Sequence, residues 1–516
     1  MFEEVLSASR LSPVALFEKR CRLQPDAPAV ACPGGEQWTY AGLDRLAAAL
    51  EAHLAASGVM RGDRIGILSE NHPFFLVLSV AAMRAGLIVA TLNWRMSTPE
   101  LAHCVGLVEP AVIFASSRMR GLLEGIGSSD VVRDIDATLL ELKAVDAVMS
   151  PTVHPDPEDG LFIIYTSGTT GLPKGALISQ RAMLSRLLVY VTDYGVDGDD
   201  TFLAWSPLFH MASVELSLGT LLLGGKVVVL DGPDLPLICD YLERESLSNL
   251  IVFPGMVEKT FEYLRERRPV VRRLKKFGAL ADLFAPKEIA ELTAILGVPF
   301  TNTFGSTETG MPPASAGRLE AGNEPLDLAK TESLLCEVAL VDDAGQPVTV
   351  GQAGELVMRG PTLFSGYWNA PEATRDAFAG GWYHTGDVFV RLVDGRLRYV
   401  DRRKYLIKSG GENIYPAEIE RVVLRHPQVV EAVVVRQPDP KWGETPVLVV
   451  AAEDPAPAAD ELIALCRAEL AAYKRPSRIV FVPKGTLPRN NTGKILHREV
   501  EQWLQSAEVK ADSASA

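Results

Sequence analysis

Apolar residues in the first half of the chain fall into short runs separated by segments of helical spacing. Residues 64–69 (Arg-Ile-Gly-Ile-Leu-Ser) read as a strand, 73–85 as a helix, 87–92 as a strand, 98–106 as a helix and 111–115 as a strand. That β-α-β-α rhythm predicts parallel sheets with helices on their faces. Residues 127–160, rich in Asp, Ser and Pro, read as an irregular connection, and 161–165 (Leu-Phe-Ile-Ile-Tyr) as a short, wholly apolar strand. From about residue 335 the pattern changes. Alternating segments at 335–342, 354–359 and 395–401, parted by Gly and Asp turns, predict a small antiparallel sheet or barrel. After residue 405 come a helix (416–425), strands (429–436, 445–452), a helix (459–472) and a strand (478–482). This is an α+β unit of about 110 residues, large enough for a domain of its own. The small, polar residues 504–516 are expected to be disordered.

Composition narrows the function classes. The chain is 47% hydrophobic and 22% charged, so wholesale disorder is excluded. A net charge of −14 argues against a broad nucleic-acid or anionic-membrane surface. It leaves room for a local basic pocket that takes a phosphorylated ligand. Arg84 interrupts the apolar stretch 76–90 and Lys226 the stretch 214–230, so no transmembrane helix and no stable membrane insertion are expected. The first ten residues have no basic region leading into an apolar one, so no signal peptide is expected. Six scattered cysteines, with no Cys-x-x-Cys pair and no Cys/His cluster, suit reduced thiols in the cytoplasm.

The most informative segment is 165–175, Tyr-Thr-Ser-Gly-Thr-Thr-Gly-Leu-Pro-Lys-Gly. An apolar strand enters a loop of glycines and hydroxyls that ends on a lysine. Glycines let backbone N–H groups turn towards an anion, hydroxyls add donors, and Lys174 adds a point charge. The loop suits a polyphosphate, although the Walker A spacing is absent.

This loop resembles the phosphate-binding signature of the adenylate-forming superfamily, in its acyl- and aryl-CoA synthetase branch. Five further segments agree in the family's order. They are Trp-Ser-Pro-Leu-Phe-His-Met at 205–211, Asn-Thr-Phe-Gly-Ser-Thr-Glu-Thr-Gly at 302–310, Trp-Tyr-His-Thr-Gly-Asp at 382–387, the stretch 401–416, and Pro-Arg-Asn-Asn-Thr-Gly-Lys at 488–494. The resemblance spans roughly residues 10–503. It implies an α/β fold in which a large N-terminal domain (1–401) has parallel-rich sheets with flanking helices plus a small antiparallel barrel. A hinge at 402–404, centred on Lys404, joins it to a small, mobile α+β C-terminal domain (405–503). It also implies two reactions. A carboxylate attacks the α-phosphate of ATP to give an acyl-adenylate and pyrophosphate; a thiol, usually that of coenzyme A, then displaces AMP.

The resemblance also implies roles residue by residue. Lys494 would bridge the acyl carboxylate and the α-phosphate. Without the match it would read as a solvated lysine near a C-terminus. Thr307 would hydrogen-bond the α-phosphate, and Glu308 would hold Mg²⁺, a hard cation suited to a carboxylate. Phe304 would face adenine, Asp387 would take the ribose hydroxyls, and Arg402 would reach ribose or phosphate. Thr166, Ser167, Gly168, Thr169, Thr170 and Lys174 would cradle the phosphates, with Ala279, Leu280 and Thr303 beside the nucleotide. The acyl pocket would draw on His210, Met211, Ala212, Ile251, Ala279, Thr303, Gly305, Gly310 and Met311, with His210 as a gate or polar wall. Such a mostly apolar lining suits an aromatic, alicyclic or medium-chain acid. Glu215, in an apolar helix, either faces solvent or reads a polar group on the substrate.

Coenzyme A would meet Arg84, Lys408, Gly410, Gly411, Trp442 and Arg475, the glycines leaving room for a slim pantetheine arm. Tyr405 stands where many relatives carry an acidic or small polar residue. The leading reading is an ATP-, Mg²⁺- and CoA-dependent acid ligase of small-molecule substrates, for which a homodimer stays open. The alternative passes the acyl group to an amine or to a carrier-protein thiol.

Overall fold

A computed structural model of the protein describes residues 12–126, 129–145, 155–166, 172–252, 257–279, 281, 284, 286–410, 412–452, 454–489 and 495–504. Two large sheets carry the N-terminal domain. The first has seven strands in the order Gly366–Tyr367, Lys174–Ser179, Gly160–Thr166, Ile88–Thr91, Arg64–Leu68, Val112–Ala115, Val132–Asp134. From Gly160–Thr166 to Val132–Asp134 every neighbour is parallel. The second has eight strands in the order Arg318–Leu319, Phe300–Asn302, Arg273–Ala279, Ser246–Ile251, Thr201–Ala204, Lys226–Val229, Pro28–Ala31, Gln37–Thr39. Its inner pairs are parallel and its two edge pairs antiparallel. Strands covered on both faces need unbroken apolar runs. Ile88–Thr91 and Val112–Ala115 are such runs and are fully buried.

Helices Phe74–Ala85 and Met211–Leu223 are apolar all round, the mark of a helix buried on every side. Nearly all their residues join the core. Residues 127–160 depart from the expected irregular connection. Val132–Asp134 adds an edge strand, and helix Ile135–Lys143 follows it, with the Asp134 carboxylate accepting the Ala137 N–H at 3.0 Å. A three-residue edge strand carrying Arg133, followed by an Asp cap, leaves too few apolar positions to show as a pattern.

The antiparallel unit has four strands, Glu337–Val341, Ala353–Arg359, Tyr383–Arg391 and Leu397–Arg402, paired in that order. Among the described residues its outer strands do not pair, so of the sheet or barrel expected it is the open sheet. The C-terminal α+β unit has the order Glu412–Ile414, Ile407–Ser409, Gly443–Ala452, Val429–Asp439, with Arg478–Val482 parallel to Gly443–Ala452. Helices Pro416–Val423 and Ala459–Glu469 bury Ile419, Val423, Leu462 and Cys466 with residues of that sheet. The Asp401 carboxylate accepts the Ala417 N–H at 2.8 Å, tying the last strand of one unit to the first helix of the next. No helix among the described residues is long and apolar enough to cross a membrane. All six cysteines are free thiols.

Candidate active site

Parallel strands present their carboxyl ends to ligands, because successive loops and side chains converge there. Ser246–Ile251, Arg273–Ala279 and Phe300–Asn302 do so beside a cavity of about 320 Å³. Met211, Ala212, Ile251, Thr303, Gly305, Gly310 and Met311 line it, and so do Phe304, Asp387 and Arg402. The expected acyl and nucleotide sites are therefore one space, the shape required by a ligand in which the two are joined. Gly305 is sterically demanded, since a Cβ there would fall 2.1 Å from the Gly310 carbonyl oxygen. Ala279 ends its strand beside the cavity; Leu280 lies outside the described residues.

The antiparallel pair Gly160–Thr166 and Lys174–Ser179 sets Thr166 opposite Lys174 at the mouth of the phosphate loop. Ser167, Gly168, Thr169 and Thr170 lie outside the described residues. The Lys174 ammonium is 5.0 Å from the centroid of the Tyr367 ring, and the Tyr367 hydroxyl donates to Glu308 Oε1 at 2.9 Å. A phosphate-seeking cation and a hard carboxylate thus meet around one tyrosine. Among the described residues no group of three or more His, Cys, Asp or Glu side chains is gathered to hold a metal. A lone carboxylate is the donor set of a Mg²⁺ that arrives with its phosphates, so Glu308 fits that ion.

Arg186 is fully buried and was not anticipated from the sequence. Its guanidinium donates to the carbonyls of Thr362 (2.9 Å), Thr307 (3.1 Å) and Glu308 (3.2 Å). It also lies 3.4 Å from Glu215. Glu215 is 1% exposed, which corrects the expectation that it faces solvent, and it is absent from the cavity wall. Burial pushes its carboxyl up to about 7, against the pull of Arg186. The pair forms a brace behind Thr307 and Glu308.

Asp387 is 3% exposed and pairs with Arg402 at 2.9 Å across adjacent strands. Phe304 packs edge-on against Phe389, with ring centroids 4.8 Å apart, and beside Tyr399, which also lines the cavity. His210 precedes helix Met211–Leu223, tilts against Phe209 and stays outside the cavity lining. Burial, reinforced by Arg95, pulls its imidazole down to about 4, so it is neutral at pH 7.

Residues 17–368 match the AMP-binding enzyme family, and residues 418–494 match the AMP-binding enzyme C-terminal domain. The chain belongs to the AMP-binding enzyme family. It is 33% identical over 486 residues to a feruloyl-CoA synthase of an Amycolatopsis species, covering 94% of this chain and 97% of that protein. It is 32% identical over 511 residues to an indoleacetate–CoA ligase of Aromatoleum aromaticum, covering 95% and 97%. The solved o-succinylbenzoate CoA synthetase of Bacillus subtilis, in complex with its acyl-adenylate intermediate, superposes with a TM-score of 0.81 at 26% identity, covering 94% of this chain and 97% of that one.

Lys494 and Gly411 lie outside the described residues. Lys404 sits in the turn Arg403–Tyr405 with its ammonium 5.0 Å from the Tyr405 ring, and Tyr405 stacks on His497 at 4.0 Å. Lys408, Gly410 and Trp442 come together where Ser409 pairs with Gly443. The Gly410 N–H donates to the Trp442 carbonyl at 2.7 Å, and a Cβ on Gly410 would strike the indole at 2.7 Å. Arg475 follows the turn Ala472–Lys474, which packs near Glu412–Ile414. Arg84 does not fit a CoA contact. It is 5% exposed in the core, bound to Asp44 and 3.4 Å from Glu51 of helix Tyr40–Ala56. An apolar helix buried on all sides carries its one arginine inward, where carboxylates must meet it.

Proposed function

We propose that this AMP-binding enzyme is an ATP-dependent carboxylic acid:CoA ligase acting on an aromatic acid. The observation that carries the reading is the single cavity running from Asp387 and Arg402 to an apolar wall of Met211, Ala212, Ile251 and Met311. The relatives' aromatic acids support it.

In the first step a carboxylate oxygen bonds to the α-phosphorus of ATP and the bond to the pyrophosphate oxygen breaks. The obstacle is the meeting of two anions, so positioning and positive charge supply the catalysis. Lys174 and Thr166 hold the phosphates, Asp387 the ribose, and Phe304 with Tyr399 the base. Thr307 donates to the α-phosphate, and Lys494 bridges it to the acid. Glu308 would hold Mg²⁺, which would supply neutralisation of phosphate charge. The Arg186–Glu215 brace keeps Thr307 and Glu308 in place from behind. In the second step the CoA sulfur bonds to the acyl carbon and AMP leaves. Lys408, Gly410, Gly411, Trp442 and Arg475 are the assigned contacts of CoA, Lys404 is the hinge, and Tyr405 with His497 fixes its neighbour. We place the enzyme in the cytoplasm, which suits its free thiols; light scattering decides between monomer and homodimer.

The test is a panel of aromatic acids with ATP and Mg²⁺, following pyrophosphate and AMP with and without CoA. AMP turnover that requires CoA, with an acyl-CoA product by mass, is the expected result. Pyrophosphate release indifferent to CoA but responsive to amines would overturn it.

A further inference from the structure

Three strands of the eight-stranded sheet turn side chains into the cavity in register. Asn249 pairs with Lys276, and Gly278 with Thr301. Side chains alternate along a strand, so Asn249 and Ile251, Lys276 and Gly278, and Thr301 share one face. All five line the cavity. Asn249 and Lys276 form its deepest row, four residues below the level of Thr303, or roughly 13 Å at ~3.3 Å per residue. Gly278 sits in the row above, between Ile251 and Thr301, where a Cβ would fall 2.2 Å from the Thr301 carbonyl oxygen.

The polarity of these two rows is unmet. Both amide atoms of Asn249 and the hydroxyl of Thr301 are buried without a hydrogen-bond partner among the described residues. The two residues are 4% and 2% exposed. Leaving a buried polar group unsatisfied is costly, and two residues that do so face one cavity here. Lys276 is buried beside them, donating to the main-chain carbonyl of Asp193 with its ammonium 3.5 Å from the centroid of the Tyr194 ring. An ammonium has three donors, and these contacts leave one for a ligand. Above this floor the wall is apolar, with Met211, Ala212, Leu216, Ile251 and Met311.

We propose that the floor of Asn249 and Lys276, with Thr301 in the row above it, reads a hydroxyl group at the far end of an elongated aromatic acid. This rests on the acid-activating reading of the site. A hydroxyl oxygen accepts from the Asn249 amide N–H and from Lys276, and its proton goes to the Asn249 carbonyl. The amide is answered in either orientation. A carboxylate has no proton for that carbonyl, and an unsubstituted ring answers none of the three side chains. A site built to bind a hydroxyl rejects an analogue lacking it more strongly than an apolar pocket rejects a missing methylene.

The experiment uses the full chain, ATP, Mg²⁺ and four 3-phenylpropenoic acids that bear hydrogen, hydroxyl, methoxy or carboxyl at the para position. Pyrophosphate release gives kcat/KM for each. The hydroxy acid is expected to exceed each of the others by at least about tenfold. Asn249→Leu and, separately, Lys276→Met are expected to pull the hydroxy/unsubstituted ratio towards one, with thermal melts showing that each variant folds. Calorimetric binding of the two acids to the unaltered enzyme gives a second readout should a variant fail to fold. Equal rates for hydroxy and unsubstituted acids overturn the proposal, as does a ratio that survives Asn249→Leu in a folded enzyme. A preference for the carboxy acid overturns the choice of hydroxyl. Turnover of no acid at all overturns the acid-activating reading itself, and the proposal with it.

Discussion

Arg186→Met separates the brace's part in stability from its part in chemistry. The substitution strands Glu215 in the core and removes the donor shared by the carbonyls of Thr362, Thr307 and Glu308. Breaking a buried pair by removing one partner costs about 3–5 kcal/mol. Glu215 can escape an unpaired charge by taking a proton. A proton on Glu215 therefore sets the loss towards the lower end of that range. Arg186→Met alone is therefore expected to lose about 3 kcal/mol in urea melts. The double variant Arg186→Met/Glu215→Leu replaces the pair with apolar side chains of similar size and should recover most of that loss. Its chemistry should not recover, because the Thr307 carbonyl then lacks its Arg186 donor and the Glu308 carbonyl keeps only the Phe364 N–H, at 2.8 Å. Hydrogen bonds to charged groups are worth about 1.5–3 kcal/mol, so acid-dependent pyrophosphate exchange is expected to stay roughly 10- to 100-fold down. A double variant with both native stability and native exchange would refute the positioning role.

Glu215 and Lys276 also predict pH dependences of known sign. The folded value of Glu215 is raised to about 7, so its stabilising contribution is full below the ordinary 4.5 and lost as pH rises through 7. Urea melts at pH 5 and pH 8 should show that slope, and Glu215→Gln should flatten it. Burial and the nearby Arg318 pull the Lys276 ammonium down to about 7, against the attraction of Asp193 and beside the Tyr194 ring. Since kcat/KM reports the free enzyme, the advantage of a hydroxylated acid should fall as pH rises through 7, and Lys276→Met should abolish that limb. Asp387→Asn removes a buried carboxylate assigned to the ribose and breaks its pair with Arg402. KM for ATP is expected to rise about tenfold or more in steady-state assays, with KM for the acid less affected.

Much of the site was legible because its residues sit in local segments whose spacing survives in the sequence. The hydroxyl-rich loop, the 302–310 segment and Asp387 belong to runs that can be read without knowing what they pack against. The brace and the cavity floor lack that advantage, since each is assembled from separate strands and helices. Glu215 stood out in an apolar helix, but its partner lies 29 residues earlier. The floor did leave a signal. Lys275 and Lys276 are consecutive in a strand flanked on both sides, and alternation forces one to each face. Lys275 reaches Asp197 and Asp200, while Lys276 turns into the cavity. Arg84 misled because the resemblance placed it at CoA, whereas Asp44 and Glu51 meet it in the core from the preceding helix, Tyr40–Ala56.

The central claim is that one cavity joins an aromatic acid to AMP and releases it to CoA. Its most direct test is mass analysis of the products when the enzyme, ATP, Mg²⁺ and a hydroxylated 3-phenylpropenoic acid are mixed before and after CoA is added. The account predicts an enzyme-bound acyl-adenylate with one equivalent of pyrophosphate before CoA, then an acyl-CoA and free AMP after it. ATP left intact in the presence of the acid, or an acyl-adenylate that CoA does not discharge, would contradict it.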